Sequence, residues 1–280
     1  MNAIALGAAE VLTLSGADAI AFTHAQFTSD VAALEVGRWQ WSAWLDAQGR
    51  ARHVFALLRV APERLLAWLP LGGAASMHEA LRRFVLRAKV ELAATSDWSL
   101  ARWTGEVPHA STLAGDADGF VLRQPGAAPR AARIGPAERA AIATAHDELE
   151  RWRREDVAAG LPLLAPALAA EFVPQALALE RIDAIRFDKG CYPGQEIAAR
   201  LHFRGGNKRH LHRLRIRGRA PEPAAPILAE AGRTAGRVLY AAHDGHGEGV
   251  ALAVLDAAAA DAPRLVIGDD AEIVARGRVE

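Results

Sequence analysis

The hydrophobic positions along the chain change period from segment to segment, and those changes predict its elements. Glu10 to Leu14 alternates and is rich in β-formers. Ser15-Gly16 is a turn signal, and Asp18 is placed to cap a helix running to about Phe27. After the polar break Thr28-Ser29-Asp30, Trp39 and Trp41 stand two apart, which puts both on one face of a strand. They read as sheet core rather than as a ligand cage. Asp46-Ala47-Gln48-Gly49 is a hairpin-like turn leading into a second strand over Val54 to Val60. Met77, Leu81, Phe84 and Ala88 recur at helical spacing while Arg82, Arg83 and Arg87 face elsewhere, so an amphipathic helix is expected over 77–88. Alternating segments follow near Trp98 to Trp103 and Phe120 to Arg123.

Further on, Pro125 to Pro136 is rich in Pro, Gly, Ala and Arg and reads as a connector. A long helix is expected from about Ala137 to Ala159. Ile142, Ala145, Leu149, Trp152 and Asp156 follow its apolar stripe, the last member being an acid, and Gly160 and Pro162 end it. Past Asn207, Leu211, Leu214 and Ile216 lie among Arg213, Arg215 and Arg217, and glycines punctuate short β-rich runs to the end. That pattern predicts a small antiparallel barrel or sandwich. The expected division is a first region over 1–204 and a C-terminal β domain over 205–280, with the boundary near Gly205-Gly206.

Composition narrows the class. A chain of 280 residues with 51% hydrophobic and 24% charged residues can bury a substantial core as two or three small, associated domains. Lys+Arg and Asp+Glu both number 33, so no global pull on nucleic acid is expected. One cysteine excludes an intrachain disulfide and fits a reducing compartment. The opening residues lack a basic n-region and carry Glu10, and apolar runs such as Val250 to Leu255 are far shorter than a membrane span. A cytoplasmic location is expected.

The densest chemical signal is Lys189-Gly190-Cys191-Tyr192-Pro193-Gly194-Gln195-Glu196. Two glycines and a proline make a tight loop. Cysteine is also a common core residue, so an inert buried thiol is one reading. In the other, Lys189 favours the thiolate, and Gly190 and Gly194 let a ligand or partner backbone come close. Such a thiolate can act as nucleophile, metal or cluster ligand, or redox sensor. A single cysteine does not hold a permanent iron–sulfur cluster.

The stretch Lys189 to Arg200, KGCYPGQEIAAR, resembles the signature of the YgfZ family, relatives of the folate-dependent T-protein of the glycine cleavage system. Phe172 to Ala176, Phe203 to Arg209, Ser15 to Ala19 and Gln26 to Asp30 extend the resemblance over almost the whole chain. It implies an α+β, T-protein-like fold: two α+β subdomains around a central folate cleft, and a C-terminal antiparallel β-barrel. It implies tetrahydrofolate or a derivative as cofactor, and a role in assembling or repairing iron–sulfur proteins, tRNA-thiolating enzymes included. Those assembly or client proteins would be its partners. Cys191 is then the working residue, within a motif of Lys189, Gly190, Tyr192, Gly194, Gln195, Glu196 and Arg200. Trp152, Gln175, Tyr192, Arg200 and Arg204 are expected folate contacts, although the spacing of Trp152 fits plain helix core equally well.

Two departures from the T-protein pattern bear on chemistry. The position of a pterin-gripping glutamate is Ala158, and helix geometry is expected to point Glu155 and Asp156 elsewhere. After the turn Gly49 to Arg52, the position of a catalytic aspartate pair is His53 and Val54, so the T-protein reaction lacks its acid. The alternative is a folate-dependent one-carbon transferase with different chemistry. Arg200 to Arg219 holds eight Lys/Arg and no acid, readable as a solvated strand face or as an anion patch. Phe203 is its only aromatic residue, so direct nucleic-acid binding is not expected. The histidines near 210 and 243 lack characteristic metal spacing, and no metal is expected.

Overall fold

In the computed structural model of the chain, residues 2–116, 119–136, 145–229, 232–260, 262–268 and 271–280 are described. Among them, eight strands form one antiparallel sheet: β1 (Ala3–Ser15), β2 (Arg38–Leu45), β3 (Ala51–Ala61), β4 (Arg64–Leu69), β5 (Glu91–Trp103), β6 (Ala114–Asp116), β7 (Gly119–Gln124) and β8 (Arg130–Pro136). Their order is β2-β3-β4-β1-β5-β8-β7-β6. The long β1 is the spine, pairing with β4 on one side and β5 on the other.

Side chains alternate between the two faces of a strand, and here both faces are buried. Leu12, Leu14, Phe55, Leu57 and Leu65 pack with Phe22 of helix α1 (Ala19–Gln26) and with Met77 and Leu81 of helix α2 (Ala74–Leu81). Leu6, Val11, Trp39, Trp41, Leu58 and Trp68 face the opposite way, toward helix α3 (His146–Ala159) and residues 161–192. Burial on both faces is why β3 and β4 read as continuous apolar runs.

The C-terminal strands β9 (Arg209–Gly218), β10 (Pro226–Leu228), β11 (Thr234–His243), β12 (Glu248–Asp256), β13 (Val266–Ile267) and β14 (Ala271–Arg278) close into a barrel in the order β10-β11-β12-β9-β14-β13. Leu214, Ile216, Val238, Ala253 and Leu255 belong to its own core. The alternating arginines of β9 face out, where Arg215 pairs with Glu248 and Arg217 with Glu272 across neighbouring strands. Leu211, Leu239, Tyr240, Leu252, Val254 and Val279 instead join the main core of the sheet and α3. Helix α4 (Gln195–Arg204) leads into the barrel. Among the described residues, no helix is long and apolar enough to cross a membrane.

Several elements differ from the sequence reading. The helix expected over 77–88 stops at Leu81, passes through a 3-10 turn at Arg82–Phe84, and turns sharply where Leu86 takes φ +35°. Phe84 and Leu86 leave the core, because the chain must bring Lys89 against Gly16 to enter β5 beside β1. Asp18 stands at the α1 N-cap, but its carboxylate accepts the Lys89 N–H rather than a helical one. The expected connector over 125–136 contains β8, whose Ala131, Ala132 and Ile134 are buried against β5 and β7; alanines among arginines give too weak a β signal. The expected helical start over 137–144 lies outside the described residues.

Candidate functional site

Helix α3 builds one wall of a partly open cavity. Gly160 closes the helix in the left-handed conformation at φ +63°. Four residues apart on one face, Trp152 and Asp156 are 4% and 3% exposed. The cavity, about 230 Å³, is lined by both, by β1 at Leu6 to Ala8, by Trp68, by Gln124 at the end of β7, and by Tyr240 of the barrel.

A carboxylate this deep needs an answer, and Arg130 supplies it. Its Nη2 donates to Asp156 Oδ1 at 2.5 Å, and its guanidinium lies 4.5 Å from the centre of the Trp152 ring. Arg102 approaches the same ring at 5.1 Å. Burial outweighs Arg130 and pushes the Asp156 carboxyl up to about 6. Glu155 pairs with Arg102 and Arg130 outside the cavity wall, and Ala158 is exposed. The expectation that Asp156 points away is therefore corrected: i, i+4 spacing from Trp152 turns it to the same cavity. Its place on the apolar stripe was the signal.

Two donors in that wall have no partner: Gln124 Nε2 and the Trp68 indole Nε1 are both sealed from solvent without a hydrogen bond. Buried orphan donors cost free energy and mark places a ligand can satisfy. The Tyr240 hydroxyl is satisfied by the Leu161 carbonyl at 2.7 Å. The site thus offers an aromatic wall and a carboxylate acceptor, with two unpartnered donors sealed behind its surface, which suits a flat, polar heterocycle. No sequence pattern distinguishes Gln124 or Trp68 from ordinary strand residues.

The Cys191 loop is a second place. Cys191 is exposed, so the buried-thiol reading is corrected. Around it the loop is anchored on all sides. Lys189 Nζ donates to the carbonyls of His24 and Phe27 at the end of α1, and burial holds its ammonium down to about 8. Its ammonium is thus spent on α1 carbonyls. Tyr192 is buried, its hydroxyl donating to the Arg186 carbonyl at 3.0 Å, and its N–H donates to Gln195 Oε1. Gly194 sits at φ +73°, where a Cβ would lie 2.3 Å from the Asp46 carbonyl oxygen and 2.6 Å from Gly49 Cα. The space expected to admit a partner backbone is filled by the β2–β3 turn of the chain itself.

Of the expected folate contacts, only Trp152 lines the cavity. Gln175 donates to the Ala198 carbonyl of α4, Tyr192 packs the loop, and Arg200 and Arg204 are exposed on α4, as is Glu196. His53, at the missing-acid position, is buried and stacks parallel to Trp44; burial, then Arg52, lowers it to about 4. Among the described residues, no group of three or more His, Cys, Asp or Glu is placed to hold a metal ion.

No protein-family model matches the chain. In overall structure it is similar to the crystal structure of glycine cleavage system aminomethyltransferase T from Bartonella henselae, with TM-score 0.68 and 16% identity over 99% of this chain and 86% of that one. It is 32% identical over 238 residues to a tRNA-modifying protein YgfZ of Sodalis glossinidius, covering 77% of this chain and 71% of that protein. Against the tRNA-modifying protein YgfZ of Serratia proteamaculans the identity is 31% over 259 residues, 83% of this chain and 77% of that protein. With the fold of the aminomethyltransferase and these relatives over most of its length, the chain belongs to the YgfZ family.

Proposed function

We propose that this chain is a cytoplasmic folate-binding accessory protein that supports assembly or repair of iron–sulfur proteins, tRNA-thiolating enzymes among them, through the thiol of Cys191. The relatives' designation as tRNA-modifying proteins supports the setting. What carries the folate part is Asp156 on the wall of the cavity beside Trp152, replacing the glutamate that Ala158 lacks. An ionised carboxylate accepts from the amino and ring N–H groups of a pterin. At about 230 Å³ the cavity is smaller than the roughly 300–1,000 Å³ that encloses a whole drug-sized ligand, so it would take the pterin and leave the benzoyl-glutamate outside. When bound, a reduced folate supplies nitrogen atoms that carry one-carbon units. His53, neutral and stacked in the core, does not replace the missing acid, which weighs against a copy of the T-protein reaction.

The test is a titration of tetrahydrofolate against intrinsic tryptophan fluorescence in the parent, Trp152→Phe and Asp156→Asn. Saturable quenching in the parent, weakened at least tenfold in Asp156→Asn, is expected; no saturable change in the parent removes folate. Cys191→Ala in cells lacking the native protein tests the thiol separately, and normal iron–sulfur enzyme activity there would make Cys191 dispensable.

A further inference from the structure

Folding assembles beside the Cys191 loop an aromatic cluster that the sequence disperses. The Phe187 ring stacks on His202 with centroids 4.4 Å apart, and His202 meets Phe203 edge-on at 4.6 Å. Phe187 and Phe203 are 6.1 Å apart, which closes the group. A 2.9 Å contact between His202 Nδ1 and Glu180 fixes the middle ring. Phe203 is 74% exposed, so the outer ring of this group meets solvent.

Cations flank that ring along the sequence. On α4, Arg200 lies three residues before Phe203 and four before Arg204, so each of the two is a surface neighbour of Arg200. Lys208 follows after Gly205 and Gly206, whose would-be Cβ positions face open space. Arg209, Arg215 and Arg217 are each paired with a carboxylate on the barrel. Among the described residues, Arg200, Arg204 and Lys208 are in no such pair, nor are Arg213 and Arg219 of the same segment, so three of its five unpaired cations lie on or just after α4. The zero formal net charge speaks only against long-range attraction to a polyanion.

We propose that this face binds an unpaired stretch of RNA, one base stacking on Phe203 and its phosphates meeting Arg200, Arg204 and Lys208. Exposed rings interleaved with unpaired cations match alternating bases and phosphates, and a ring proud of a helix reaches only a base already out of a duplex. An acidic protein would use the cations but gain little from an edge-and-face stack of three rings. The choice of RNA over other polyanions rests on the functional reading above. Phe187 lies four residues before Cys191, which bounds their Cα separation at about 14 Å, so the bound strand would run close to the exposed thiol.

The experiment uses the full chain and a fluorescein-labelled, unstructured 12-nucleotide RNA, followed by anisotropy from 50 to 200 mM KCl, with a 12-base-pair RNA duplex as second probe. Saturable binding to the single strand is expected, weaker on the duplex. The slope of log K against log salt should be about −2, for counterions released at three neutralised phosphates of a single strand. Phe203→Ala should weaken binding at least about fivefold, the low end for one lost base stack, while Phe203→Trp retains it. Arg200→Ala with Arg204→Ala should flatten the salt slope. Tetrahydrofolate titration of Phe203→Ala, and circular dichroism of every variant, should be unchanged. No saturable binding at 50 mM KCl, equal affinity for the duplex, or Phe203→Ala binding like the parent would each overturn the proposal. Folate binding that persists in that case leaves the cavity reading standing. RNA binding unchanged in Phe203→Ala while a co-purifying protein is lost would assign the face to a protein and likewise overturn it.

Discussion

Asp156 occupies a helical position that periodicity reserves for the core, and its titration has two consequences of opposite sense. Its folded-state value, about 6, stands above the ordinary aspartate value of 3.8, because burial penalises the charged form more than Arg130 compensates. The folded chain therefore holds a proton that the unfolded chain has released, and stability contributed here falls as pH rises from about 4 to about 6. His53 acts the other way. Neutral in the fold with a value lowered from 6.5 to about 4, it contributes stability above pH 6.5 that is lost as pH falls toward 4. Asp156→Asn leaves the His53 effect unopposed, so urea midpoints between pH 4 and 7 should drop more steeply with acid in that variant than in the parent. Ligand binding runs on the ionised carboxylate, so tetrahydrofolate affinity in the parent should be flat above about pH 7 and weaken below 6, approaching tenfold per unit. In Asp156→Asn that dependence should vanish. Much of this was legible: an acid ending an apolar stripe is visible in sequence. Gln124 and Trp68 were not, because an unsatisfied donor is defined by what surrounds it in space.

Among elements, the loop carrying Cys191 is held by backbone contact as much as by side chains. The left-handed Gly194 packs onto the β2–β3 turn, and a Cβ there would overlap the Asp46 carbonyl. Gly190 differs: a Cβ would meet His24 at an ordinary 3.5 Å. Gly194→Ala should therefore lose at least about 1–2 kcal/mol to the left-handed backbone alone, with the clash added. Gly190→Ala should stay within about 0.5 kcal/mol of the parent. Urea unfolding checks both, and iodoacetamide alkylation of Cys191 should accelerate only in Gly194→Ala as its loop loosens. The sequence reading correctly took this motif for a tight loop, since Gly and Pro announce turns. It did not anticipate that the glycine's space would be filled from residue 46, nor that Lys189 would cap α1, because both depend on contacts well over a hundred residues away. The early end of α2 and the strand β8 were hidden for the same reason: neighbouring β1 and β5 decide them, against weak local preference.

For the molecule as a whole, the cavity draws on β1, the ends of β4 and β7, α3 and the barrel, from Leu6 to Tyr240. Sequence resemblance conveyed the fold and the barrel; no local pattern conveys a cavity closed by parts so far apart. A ligand there touches both the sheet region and the barrel and binds only when they are assembled. At a hundredfold excess over its dissociation constant it should add about 2.7 kcal/mol. For a chain of this size that is a rise of about 5–10 °C in Tm, read by scanning calorimetry. Trp152→Phe should show a smaller rise, and Phe203→Ala the same rise as the parent.

The outer wall of the barrel has a last implication. Leu211, Leu239, Tyr240, Leu252 and Val254 are greasy on the outside of a closed cylinder, where solvent would normally be met, because α3 and the sheet lie against them. Severing the polypeptide at Gly205-Gly206 would accordingly yield two sticky fragments in place of two independent modules. Evolutionary recombination of this barrel with another head would require a new cover for that wall.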